Sequence, residues 1–90
     1  MKKTKIQIEL IDRLGTCSCH RGHQIGDTFD YDTERGNLCP MAAHVAFPYV
    51  DIIRYGGTPP LCQAGDVRFC CPDVDVINVF RIKVVQNDAT

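Results

Sequence analysis

Cys19-His20-Arg21-Gly22-His23, Cys39-Pro40 and Cys70-Cys71-Pro72-Asp73 contain the side chains of this sequence best suited to holding a soft metal ion or attacking an electrophile. In the first group, a C-x3-H spacing on a tight turn lets Cys19 and His23 point at one ion, because Gly22 has no Cβ to crowd it. Taken alone, the group also reads as a polar loop in which His23 bonds a backbone carbonyl. Cys39 falls at or just before a helix N-terminus, where free N–H groups and the helix dipole favour a negative sulfur. Its plainer role is a small buried hydrophobe at a cap. His44 follows about one turn later, on the side of Met41 and Pro48; it reads first as a core histidine with one hydrogen bond and second as a ligand. In the third group, period-two alternation puts Cys71 with Val67 and Phe69 on the inward face and Cys70 with Arg68 on the other, which makes Cys71 the better ligand. Asp73 could orient a histidine from behind, or serve as an ordinary turn residue.

Together these groups supply three thiols, two of them followed by proline, with a histidine four residues beyond one. Three cysteines and a histidine are a common tetrahedral zinc set, and cysteine followed by proline recurs beside iron–sulfur ligands. The expected site is therefore Cys19, Cys39 and Cys71 with His23 or His44, holding an iron–sulfur cluster or a zinc ion. A cluster implies electron transfer or redox sensing with a redox partner protein, whereas zinc with four protein ligands implies a structural role. The alternative is a thiol-dependent enzyme or redox switch, with Cys39 as nucleophile and His23 or His44 as base. The plainest possibility is a scaffold whose cysteines only pack. No paired C-x-x-C is present, which excludes a zinc ribbon or rubredoxin-like knuckle. Arg54-Tyr55-Gly56-Gly57 lies at the wrong pole of a helix to cradle phosphate.

These residues need elements to carry them. Ile6, Ile8 and Leu10 alternate with Gln7 and Glu9, predicting a strand over 3–14 that Gly15 ends. Residues 16–26 are polar and irregular, and a short strand over 27–31 sets Phe29 and Tyr31 on one side. After a turn at Glu34-Arg35-Gly36-Asn37, a helix is predicted over 40–55, with Pro40 just inside its start and Gly56 just past its end. Met41, Val45, Pro48 and Ile52 form the stripe expected to lie on a sheet, and Pro48 is expected to kink or split the helix near Phe47. Strands over 66–71 and 78–85 complete a ββαββ order. The predicted class is α+β, a small, mainly antiparallel sheet with one helix on one face. A barrel-like, mainly β arrangement with one helix is the rival.

Ninety residues make one domain with a thin core, for which a metal, a disulfide or a homo-oligomer would be a useful clamp. A site shared between copies suits a domain with so little room to bury a cluster. The formal charge of −1 and the absence of a basic stripe argue against nucleic acid and against an anionic membrane surface. The first nine residues have no apolar signal region, and no run approaches the ~18 apolar residues that span a bilayer. Six cysteines invite disulfides, but Cys17 and Cys19 are two apart and Cys70 and Cys71 are adjacent, spacings that bridge only with strain. Reduced thiols in the cytoplasm are the expectation.

The motifs run in order: Cys19-x-x-Gly22-His23-x-x-Gly26-Asp27-x-Phe29, Gly36-x-x-Cys39-Pro40-x-Ala42-x-His44, Phe47-Pro48-Tyr49, Arg54-Tyr55-Gly56-Gly57 and Cys71-Pro72-Asp73. This string resembles a family of small bacterial and archaeal Cys/His proteins of about this length, and the resemblance covers nearly the whole chain. It implies that Cys19, His23, Cys39, His44 and Cys71 belong to a shared pattern, that Cys17, Cys62 and Cys70 are extras, and that Pro48 is a family feature. No settled activity comes with it.

Overall fold

A computed structural model describes residues 5–15, 21–59, 66–73 and 76–85. Cys19 lies outside the described residues, as do Cys17, His20 and Cys62. The fold is α+β: strands β1 (Lys5–Leu14) and β2 (Thr28–Asp30), a 3-10 turn (Arg35–Asn37), helix α1 (Pro40–Arg54), then strands β3 (Val67–Cys70) and β4 (Ile77–Val85). All strand pairings are antiparallel, and the sheet order is β2-β1-β4-β3. The sheet thus departs from chain order: β4 returns to the centre beside β1 and leaves β3 at the edge. Among the described residues, no helix is long and apolar enough to cross a membrane.

Alternation in the sequence becomes rows of buried side chains across the sheet. Phe29, Ile8, Ile82 and Val67 stand opposite one another in one row, and Leu10, Phe80 and Phe69 in the next. All seven belong to one core cluster, and burial of such side chains stabilises a fold by roughly 1.5–3 kcal/mol each. The register breaks between Leu10 and Asp12, where β1 carries a bulge against β4. A one-residue bulge reverses the alternation beyond it. Arg13, which simple alternation would group with outward Gln7 and Glu9, is therefore paired with buried Asn78.

Helix α1 buries Ala42, Ala46 and Val50, with Cys39, Ala43, Val45, Tyr49 and Ile53 half-buried beside them. The stripe expected from the sequence is only partly the packed one: Met41 is 47 % exposed, Pro48 is also on the outside, and Ile52 is half-buried. Small side chains at positions 42 and 46 let the helix approach the sheet closely, and the larger apolar residues flank that line. Tyr49 stacks on Phe69 at 6.2 Å, and Phe69 on Phe80 at 5.2 Å, carrying the contact from helix into sheet.

Pro48 does not split α1, which runs unbroken from Pro40 to Arg54. The acceptor that proline deprives of its donor is the carbonyl of His44, on the exposed face, where water can take the donor's place. The helix ends in a Schellman arrangement: Gly56 (φ 84°) donates to Ile53 at 3.0 Å, and Gly57 to Ile52 at 2.9 Å. At this end Arg54 pairs with Asp32 in the turn after β2. That turn is held by Asp30, whose carboxylate accepts the N–H groups of Asp32 and Thr33 at 3.0 Å each.

Candidate functional site

The N-terminus of α1 and the β3–β4 connection carry the two described thiols that face the interior. Cys39 is the N-cap of α1, with Pro40 at the first helical position. Its backbone N–H donates to Nε2 of His23 at 3.1 Å. His23 is 9 % exposed and lies edge-on to Phe29, with ring centroids 5.0 Å apart. Burial lowers the His23 pKa below its ordinary value; the nearby Arg21 and Arg13 charges add to the effect and Asp27 opposes it. Because Nε2 accepts the Cys39 N–H, that nitrogen carries no proton in this arrangement.

Cys71 is buried, and Cys70 is exposed on the other face, as alternation predicts. The Cys71 N–H donates to the Asn78 carbonyl at 3.0 Å, and the Asn78 N–H donates back to the Cys71 sulfur at 3.2 Å. The Cys71 thiol also contacts the Val76 carbonyl at 3.5 Å. Asn78 is 3 % exposed, and its side-chain oxygen accepts Nε of Arg13 at 2.9 Å. The same guanidinium donates through Nη2 to the His23 carbonyl. One continuous polar network therefore links Cys71, Asn78, Arg13, His23 and Cys39.

Cys39 and Cys71 line a single cavity of about 220 Å³, together with Arg21, Met41, Asp73 and Asn78, and its remaining walls are apolar. The structure thus brings two of the five predicted site residues to one cavity and puts a third, His23, directly behind Cys39. His44 is exposed on the outer side of α1 and does not line this cavity, so it is not the core histidine its spacing suggested. Cys19 lies outside the described residues. Among the described residues, no group of three or more His, Cys, Asp or Glu side chains is placed to hold a metal ion. Among the described residues, no cysteine or histidine lines a larger groove of about 600 Å³ beside β4. Its charges are engaged with one another and with β1: Arg81 pairs with Asp66 at 3.6 Å, and Lys83 with Glu9 at 2.8 Å.

The sequence reading missed Arg13, Asn78 and Met41. Two of them left a readable signal. Leu10-Ile11 breaks the alternation just before Arg13, and Asn78 is a polar residue at the inward parity of a β-branched strand. Comparison with protein-family models, curated proteins and solved structures finds no match to this chain.

Proposed function

We propose that this chain is a metal-binding protein whose site is built on the thiolates of Cys39 and Cys71. The observation that carries the reading is that two cysteines distant in sequence wall one cavity, each braced by its own buried polar partner, His23 or Asn78. Sulfur donors in an apolar setting favour a soft ion over hard cations. Zinc or an iron–sulfur cluster takes four protein donors, so either would draw on further residues. Cys19, which lies outside the described residues, is the further thiol that the sequence pattern suggests. In this reading His23 orients Cys39, because its Nε2 is engaged by the Cys39 N–H. His44, on the outer face of α1, would serve only across a homo-oligomer contact. A cluster would go with a redox partner protein, and the thiols with a reducing compartment such as the cytoplasm.

The thiol-enzyme alternative has less support. A base for Cys39 needs a free imidazole lone pair beside the sulfur, and the His23 Nε2 lone pair is directed at a main-chain N–H. The test is purification without oxygen, followed by metal and sulfide analysis and an absorption spectrum. Wild type is expected to retain metal in fixed proportion, and Cys39→Ser and Cys71→Ser to lose it. A wild-type chain that is metal-free and rejects every added ion ends the proposal.

A further inference from the structure

The two thiols share their cavity with a third sulfur. Met41, in the first turn of α1, lines it with Cys39 and Cys71. Met41 is 47 % exposed and stands outside the core cluster, a setting in which burial of an apolar side chain does not explain it. Pro40, Ala42, Val76 and Phe80 add apolar wall, Arg21 supplies a positive charge, and Asp73 and Asn78 supply polar groups. The Asn78 amide oxygen already accepts from Arg13.

Resting on the thiolate-site reading above, we infer that the ion is monovalent copper, held by Cys39, Cys71 and Met41. Thiolate and thioether donors together select copper(I) among biological metals. This closed-shell ion is satisfied by two or three sulfurs and needs no water. Zinc gains little from a thioether, whereas copper(I) uses one as readily as a thiolate. Binding releases the two thiol protons to solvent. Two thiolates and one copper(I) carry one net negative charge, to which Asp73 on the wall adds and which Arg21 on the wall and Arg13 behind Asn78 offset.

The experiment titrates the full, reduced chain with copper(I) against a chromogenic copper(I) chelator, without oxygen, and in parallel with zinc(II) against a zinc indicator. Wild type is expected to hold a single equivalent of copper(I). Met41→Leu is an exposed, nearly isosteric change, checked for folding by circular dichroism. It should weaken copper(I) by about tenfold or more while leaving zinc(II) affinity unchanged, and Cys39→Ser or Cys71→Ser should cost more than about a hundredfold. X-ray absorption at the copper edge should show only sulfur neighbours, with one lost in Met41→Leu. Copper(I) affinity indifferent to Met41→Leu, nitrogen or oxygen neighbours, or retention of zinc or iron in place of copper overturns the copper assignment and leaves the thiolate site standing. Failure to bind any of these ions overturns both.

Discussion

Nε of Arg13 donates to the side-chain oxygen of Asn78 at 2.9 Å, across β1 and β4, at a point reached only because β1 bulges between Leu10 and Asp12. The pair is the midpoint of the network that links the Cys71 sulfur to the Cys39 main chain. Replacing Arg13 with Met removes a donor from a buried amide oxygen and should destabilise the chain by about 1–3 kcal/mol. Lysine should recover only part of this, because a single ammonium cannot reproduce the guanidinium fork. Urea unfolding of the three proteins measures both effects, and equal stability of Arg13→Met and wild type would refute the role.

Pro48→Ala should stabilise the protein, by up to the ~3 kcal/mol that separates these residues in a helix interior. The substitution restores an N–H to an exposed turn that is already helical. Thermal unfolding reads the result. A lower melting temperature would mean that proline is required there for a reason other than local helix geometry.

Ala46 is fully buried between α1 and the sheet. Ala46→Leu should cost about 1–3 kcal/mol through overpacking. The same variant should also weaken metal retention, because lifting α1 displaces Cys39 from Cys71.

Asp30 carries a pKa below its ordinary value of 3.8, chiefly because its carboxylate accepts the Thr33 N–H, with Asp32 and Lys5 adding to the effect. In this case the unfolded chain takes up the proton first as pH falls. The stabilisation is therefore complete above about pH 3.8 and is lost as pH drops below it through the folded value. Denaturation followed between neutral and acid pH should show a shallower acid loss in Asp30→Asn than in wild type. Parallel curves would exclude the contribution.

Cys70 and Cys71 are adjacent but lie on opposite faces, one exposed and one buried. In metal-free native protein an alkylating reagent should modify Cys70 first, and Cys71 only at the rate of unfolding, as peptide mass spectrometry would resolve. Modification of both at one rate would contradict the burial of Cys71. Cys70→Ser should leave metal binding intact.

Much of this arrangement was legible before the fold was known, where a residue's place follows from local periodicity. Ile6, Ile8 and Leu10 point inward because strands alternate, and so does Cys71 rather than Cys70. Pro40 and Gly56 bracket the helix because one lacks an N–H and the other tolerates positive φ. The large apolar residues of the helix do not mark the side that packs, because close approach to a sheet rewards the small side chains of Ala42 and Ala46. His44 was misassigned with that face. Arg13 was not anticipated as part of the site, since one extra residue in β1 reverses its direction. His23 was seen as a ligand or a loop histidine, and its bond to the Cys39 N–H joins residues that no local rule connects.

Helix α1 is pinned at both extremities, by Arg54 on Asp32 at one and by the Cys39 main chain on His23 at the other. Its 15 residues make a rod of roughly 22 Å. A rod held this way cannot slide or rotate without breaking one of its anchors. The Asp32 turn and the His23 loop thus fix the place of Cys39 from opposite ends of one rigid element.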